Sequence, residues 1–375
     1  MAIAIAVAVA AVNVGPPAWA AGRRDPVQIV RFLGEQRLPH LMRFQGTTVG
    51  GLSGIDRDPR TGVWYFISDD RWRYDPARFY TGRLAIDRAT GEFQGVRVTG
   101  VTTLTRADGT PYPAYGKPGS ADPETIRYDR WAGRLLWGDE GDRPDARNPD
   151  IPISQSAVRG MDLQGRHLGE LRLPRNLRLT GADRGPRRNF GFEGLAVSPR
   201  TITAVTEGPR HEDGALPTVE RGAPARLTVW NRGGGVRGQY AYPLDPLAEA
   251  PVPPTGDADS GVSEILAVDD YRYLALERAW IQGVNYRVRL YEIDLRGATD
   301  VLGRRSLAGG RPYRPVAKRL VHDLSAVLPP TQNLESMAWG PRLASGECTL
   351  VIGSDDNFSQ EEATQFLAFA TTGCR

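Results

Sequence analysis

Cysteine, lysine, histidine and methionine are all scarce in this chain, with two, two, four and four residues in 375. Two cysteines cannot build a multi-disulfide scaffold, and no C-x-x-C spacing suggests a zinc ribbon or a dithiol redox centre. The histidines, His40, His167, His211 and His322, are scattered and share no metal-ligand spacing. Lysine is so rare that nearly all of the 47 basic residues are arginine, against 44 acidic residues and a net charge of +3. No basic run with interleaved aromatics occurs, which argues against a nucleic-acid-binding face. No apolar run reaches the ~20 residues needed to span a bilayer. G-x-S-x-G, Walker and H-E-x-x-H motifs are absent too. Gly233, Gly235 and Gly238 satisfy G-x-G-x-x-G, but strand-like runs flank them and no helix follows, so they read as a hairpin turn.

What the chain has in quantity is turn residues, 43 Gly and 29 Pro, and a repeat. Gly191-Phe192-Glu193-Gly194-Leu195 is echoed by Asp122-Pro123-Glu124-Thr125-Ile126, Val262-Ser263-Glu264-Ile265 and Asn333-Leu334-Glu335-Ser336-Met337. Gly51-Leu52-Ser53-Gly54-Ile55 has the same shape with Ser in place of Glu, so the marked positions are 53, 124, 193, 264 and 335. A step of about 70 residues held along a whole chain signals a repeat architecture. Each unit holds four short strand-like runs, for example Glu124–Asp129, Arg134–Asp139, Ser156–Leu163 and Arg166–Leu173. The expected fold is therefore all-β: a closed β-propeller of four-stranded blades, five in number, or six if a long insertion hides a degenerate blade. Arg31-Phe32-Leu33-Gly34-Glu35 matches Arg166-His167-Leu168-Gly169-Glu170, a fourth strand, whereas Thr364–Ala370 reads as a third strand. The N-terminal strand should thus complete the last blade and close the ring, protecting sheet edges.

Residues 1–21 read as a secretory signal: an apolar run, Gly15-Pro16-Pro17, then Ala18-Trp19-Ala20, although no Lys or Arg precedes the run. Residues 22–375 then form one propeller domain, expected to be periplasmic or secreted and monomeric. Cys348 opens a second strand and Cys374 follows a third, so an antiparallel hairpin brings them opposite each other, a disulfide in an oxidising compartment.

Propeller topology places the starts of the innermost strands and the ends of the second strands around one channel mouth. The first set holds Glu124, Glu193, Glu264 and Glu335. The second holds Asp69, Asp70, Asp139, Glu140, Glu207, Glu277, Asp355 and Asp356. Carboxylates crowded in this way repel unless protonated or bound to a cation, and a hard divalent cation such as Ca²⁺ takes several oxygen ligands. Glu124, Glu193, Glu264 and Glu335 are the metal-ligand candidates; equally, each Glu could cap its own blade by accepting backbone N–H groups. Arg71, Arg210 and Arg278 follow the acids of their blades and suit a small anionic substrate.

These residues resemble the esterase-like phytase propellers, related in outline to secreted calcium-dependent phytases. The likeness rests on Gly51-Leu52-Ser53-Gly54-Ile55 with Ser68-Asp69-Asp70-Arg71, and on Phe192-Glu193-Gly194-Leu195 with Thr206-Glu207-Gly208. It continues in Ser263-Glu264-Ile265 with Leu276-Glu277-Arg278, and in Leu334-Glu335-Ser336 with Ser354-Asp355-Asp356-Asn357. It implies an exported, Ca²⁺-dependent hydrolase of an ester or phosphoester, with Glu193, Glu264, Asp70 and Glu207 as catalytic candidates. The alternative is a non-catalytic periplasmic propeller that binds a ligand or a protein, since one fold hosts many functions.

Overall fold

Residues that follow one another along the second strand of a blade pack into different hydrophobic clusters. Leu135 and Trp137 join Tyr65, Ile67, Phe79 and Ile126, whereas Leu136, between them, joins Leu195, Ile202 and Trp230. Tyr273 and Ala275 meet Val205 and Leu227, whereas Leu274 and Leu276 meet Met337, Leu350 and Ile352. Strand side chains alternate between the two faces of a sheet, so each sheet is sandwiched between two others, and its second strand is buried on both faces.

The computed structural model describes residues 25–181, 183–326 and 330–374; the signal reading of residues 1–21 lies outside them. Five four-stranded antiparallel sheets surround a common axis. From the axis outward, the first is Gly54–Arg57, Trp64–Ser68, Arg78–Ile86 and Phe93–Thr103. The second is Pro123–Asp129, Arg134–Asp139, Ala157–Met161 and His167–Glu170. The third is Phe192–Val197, Thr201–Thr206, Pro224–Asn231 and Val236–Pro243, with the Gly233–Gly238 stretch in its outer hairpin as expected. The fourth is Ala258–Ala267, Arg272–Ile281, Asn285–Asp294 and Ala317–Asp323. The fifth is Leu334–Trp339, Cys348–Ser354 and Gln365–Thr372, and its outermost strand is Gln28–Arg37 from the other end of the chain. There are thus five blades, not six. Blades are separate sheets; the ring is held by five interblade hydrophobic clusters and by Gln28–Arg37 pairing with Gln365–Thr372, Phe32 opposite Phe369. The Cys348–Cys374 disulfide, with Cα atoms 6.3 Å apart, ties the same last hairpin.

The inner strands converge so closely that a Cβ on Gly54 would lie 2.7 Å from the Cα of Thr125, and one on Gly194 the same distance from the amide N of Ile265. One ion pair fills the axis. Arg127 donates to the carbonyls of Ile55, Leu195 and Ile265, in blades one, three and four, and pairs with Glu264 at 2.7 Å. Glu264 also accepts from Leu195 N (3.0 Å), Ile265 N (2.9 Å) and Thr125 Oγ1 (3.0 Å). This corrects the expectation for Glu264 as a metal ligand or catalytic group: both of its oxygens are taken, and it is fully buried below the mouth. The register explains the slip. In blades two, three and five the bulged residue of the inner strand is Glu124, Glu193 and Glu335, but in blade four it is Ser263. Ser53 and Ser263 play the same part, each donating at 3.3 Å to a carbonyl of the next blade, Pro123 O and Leu334 O.

Two expectations follow. Glu264→Gln leaves the Arg127 guanidinium buried without a counter-ion and should cost about 3–5 kcal/mol in denaturant unfolding. Thiol labelling of the native, non-reduced protein should find no free cysteine, and Cys348→Ser with Cys374→Ser should lower stability by about 3.5 kcal/mol for a closed loop of 26 residues.

Candidate active site at the channel mouth

Above the plug, two layers of five positions face the mouth. The lower layer is the bulge position in four blades, Glu124, Glu193, Ser263 and Glu335, with Ser53, just before the inner strand, in the first. A bulge adds one unpaired residue and re-aims its side chain. The upper layer is the residue just past the second strand. Asp69, Glu140, Glu207 and Asp355 are held alike, their N–H groups donating to Gly51 O, Asp122 O, Gly191 O and Asn333 O at 2.8–3.0 Å. In blade four the equivalent residue is Arg278, paired with Gly261. With Asp122, eight carboxylates gather here around two guanidinium groups, those of Arg71 and Arg278. Fully ionised, this set would carry a net charge of −6.

Period-two alternation sorts the acidic doublets that end the second strands. Asp69 faces the mouth, but Asp70 turns away to Arg78 and to the amides of Tyr74 and Asp75 (both 2.8 Å), so Asp70 is a turn anchor rather than a catalytic candidate. Glu140 faces the mouth whereas Asp139 is bound by Arg159. Asp355 faces it whereas Asp356 accepts from Gly51 N at 2.8 Å and Thr364 Oγ1 at 2.9 Å. Glu277 likewise points away, to Lys318. Arg210 is corrected too: it is buried on Asp213, its Nε 2.9 Å from Oδ2, beside Arg226, and pairs with none of the mouth carboxylates. Arg71 and Arg278 do reach the mouth. Arg71 Nε lies 2.5 Å from Asp122 Oδ1, and its NH2 lies 3.7 Å from Glu124 and 3.6 Å from Glu140. Arg278 NH2 bridges Glu207 (3.0 Å) and Glu335 (3.1 Å), and its NH1 lies 2.9 Å from Asp259.

Two carboxylate triplets have oxygens mutually within 4.8 Å: Asp69, Asp122 and Glu124, and Glu124, Glu140 and Glu193. Glu124 belongs to both. Glu335 and Asp355 lie on the blade-five side, near Asp69. Asp122 was not singled out from the sequence, because nothing in its repeat unit marks it; only its position two residues before a bulge could have.

A sequence-family profile described as "Phytase-like: Esterase-like activity of phytase" matches residues 47–358. The chain belongs to this phytase-like family. Among curated proteins, nothing matches it. Among solved structures, this phytase-like propeller is similar to a bifunctional GH43-CE protein of Bacteroides eggerthii (11% identity, TM-score 0.38, covering 85% of this chain and 32% of that one). It is also similar to a GH43 β-1,3-galactosidase with galactodeoxynojirimycin (8%, TM-score 0.47, 89% and 94%). A third is a lignostilbene dioxygenase of Pseudomonas brassicacearum (12%, TM-score 0.36, 81% and 53%). This chain spans about a third of the first of these proteins and about half of the third. At such distances the similarity does not extend to chemistry.

Electrostatics set the phytase-like mouth apart from the rest of the molecule. Burial, then the charges of Asp69 and Glu193, push Glu124 well above the usual carboxylate range. Burial and the neighbouring acids do the same to Glu140, Glu193 and Asp355. Burial pushes Glu207 up to about 8, against the pull of Arg278. Asp213, away from the mouth, goes the other way: hydrogen bonds from Arg226 and Arg210 hold it below its ordinary value despite burial. Asp355 Oδ2 is buried without a hydrogen-bond donor. A larger cavity, about 1080 Å³, opens beside Arg159, Arg172 and Arg178 between blades two and three, but it holds only one carboxylate, Glu170, and lies away from the mouth.

A carboxyl group with a raised value in the fold keeps a proton that the unfolded chain has released. Metal-free protein should therefore lose stability as pH rises from about 5 to about 8, the window between Glu207's ordinary 4.5 and its folded value of about 8. Melting temperatures measured in chelator across that range should fall, and millimolar Ca²⁺ should flatten the slope.

Proposed function

We propose that this phytase-like protein is an exported, divalent-cation-dependent hydrolase of an ester or phosphoester, with the channel mouth as its active site. The observation that carries the reading is the pair of carboxylate triplets sharing Glu124. The donors are all carboxylate oxygens, with no His or Cys among them, which suits a hard cation such as Ca²⁺. A buried oxygen that lacks a donor, Oδ2 of Asp355, fits the same group. Asp69, Asp122, Glu124, Glu140 and Glu193 would hold it, and Glu335 remains a candidate at the edge. Bound there, the cation supplies Lewis acidity toward a carbonyl or phosphoryl oxygen.

The chain's own residues do the rest. Arg71 and Arg278 present donors on opposite sides of the mouth and orient an anionic group. The plug below keeps the site a cup rather than a through-channel. Glu193 in the second triplet and Glu207 across from it are the acid–base candidates that remain after Asp70 and Glu264 are set aside. The family's description supports ester chemistry, and the Cys348–Cys374 disulfide supports an oxidising compartment.

Glu124→Gln with Glu193→Gln keeps shape and removes two charges from the shared triplets. In metal-free wild type, Ca²⁺ at about 100-fold over its Kd should add about 2.7 kcal/mol, or roughly 3–5 °C in Tm for a protein of this size. The double variant should stay folded, lose most of that gain, and lose activity on 4-nitrophenyl acetate or 4-nitrophenyl phosphate in parallel. A wild type whose Tm ignores both Ca²⁺ and chelator, and which hydrolyses neither compound, would leave a non-catalytic binding module.

A further inference from the structure

Beside Asp69 and Arg71 the mouth opens into a cavity of about 500 Å³, walled by Trp72, Tyr115, Asn189, Asn357 and Phe358. That is within the range of small-molecule sites. Its backbone is unusual. Among the described residues, eight other than glycine have positive φ, and five of them are here: Arg71 (48°), Trp72 (63°), Asn189 (58°), Asn357 (46°) and Phe358 (54°). Asn tolerates that region, but for Trp and Phe it is a conformation rarely adopted, because Cβ crowds the following carbonyl oxygen. Such residues persist only where their surroundings hold them, and they cluster at binding and catalytic sites.

The surroundings do hold them. The Asp70 carboxylate accepts from Tyr74 N and Asp75 N and pins the turn that carries Arg71 and Trp72. Asp356 accepts from Phe358 N at 3.2 Å and Asp355 from Asn357 N at 2.8 Å. The Phe358 ring rests on bare backbone: a Cβ on Gly50 or Gly51 would come within 2.8 Å and 2.6 Å of it. Tyr74 packs on its other side, ring centres 4.8 Å apart. Arg188 holds the Tyr115 hydroxyl at 2.7 Å. Trp72 and Tyr115 are nevertheless 40% exposed each. One large ring is thus tethered by its hydroxyl, another is carried on a pinned turn, and both are left open to solvent next to the carboxylates of the mouth.

We propose that this cavity takes a planar aromatic ring, so that the substrate is an aryl ester or aryl phosphoester whose ring lies against Trp72 and Tyr115 while its ester group reaches Asp69 and Arg71. The adjacent strained residues 71 and 72 divide the work, one side chain reaching the carboxylates and the next lining the cavity. Pre-fixed rings bind without the ordering cost of mobile ones, and stacking distinguishes an aromatic from a saturated ring of similar size. The assignment of ester chemistry rests on the hydrolase reading; the ring-binding site does not.

Calorimetric titration with phenylphosphonate and cyclohexylphosphonate, which share a head group and approximate size, separates stacking from plain apolar burial. In Ca²⁺-loaded full-length protein the phenyl compound should bind on the order of tenfold more tightly. Trp72→Leu and Tyr115→Leu, which keep apolar bulk, should each bring the two affinities together, whereas Trp72→Phe should keep most of the difference; melting curves confirm that each variant is folded. Equal affinities in the wild type, a preference that survives Trp72→Leu and Tyr115→Leu, or no binding of either compound at millimolar concentration overturns the proposal. A phenyl preference in a protein that hydrolyses no ester would defeat the hydrolase reading alone and leave the aromatic site standing.

Discussion

The Arg127–Glu264 pair is the interaction on which the centre of this molecule depends. Five inner strands converge on one axis, and their backbones approach too closely at Gly54 and Gly194 for side chains there. Carbonyl and amide groups that face an axis must still be satisfied, since an orphaned buried backbone group costs as much as a lost hydrogen bond. One guanidinium with its fork of donors serves the carbonyls of blades one, three and four at once, and one carboxylate serves the amides of Leu195 and Ile265. Neither charge would be tolerated alone at full burial; each is the condition for the other.

The plug also decides what the mouth can be. With the axis filled, the acids above it face a shallow cup from which bulk water is partly excluded. Repulsion among Asp69, Glu124, Glu140 and Glu193 is therefore weakly screened. Elsewhere in the chain, carboxylates at comparable depth have dedicated partners: Asp70 with Arg78, Asp139 with Arg159, Asp213 with Arg210 and Arg226. At the mouth, eight acids share two arginines. A fold that gives many of its buried acids a partner of their own but leaves eight to share two arginines in one cup concentrates electrostatic strain where a cationic ligand can relieve it. The strained backbone of residues 71, 72, 357 and 358 lies on the rim of that same cup. Charge repulsion and backbone strain are independent costs, and their coincidence at one place is what makes it the candidate site.

Much of this was legible along the chain. The step of about 70 residues, the four strands per unit, the match between Arg31–Glu35 and Arg166–Glu170, and the Cys348–Cys374 pair all follow from local pattern and connectivity. They depend on turn chemistry and on side-chain period, which the sequence carries directly. The membership of Glu124, Glu193, Glu335 and Glu207 in the mouth was readable for the same reason, because each recurs at its own place in the repeat unit.

What the sequence could not supply was register to a single residue. In blade four, aligning Glu264 with the other glutamates is natural by composition, yet the bulge falls on Ser263, and a one-residue slip sends a strand side chain to the opposite side. The same alternation separates Asp69 from Asp70 and Asp355 from Asp356, doublets that look interchangeable when written in a line. Arg210 appeared equivalent to Arg278 by its place after an acid, but a loop carrying Asp213 folds back to bury it. Asp122, Trp72 and Tyr115 come to the cup from separate loops, with no pattern to announce them. Sequence alone determined the repeat, the closure and the acidic character of one face, because these are properties of period. Tertiary structure alone decided which acid plugs the axis, which carboxylates stand unpaired and which rings flank them, because bulge placement and loop packing fix side-chain direction and are set by contacts between distant blades.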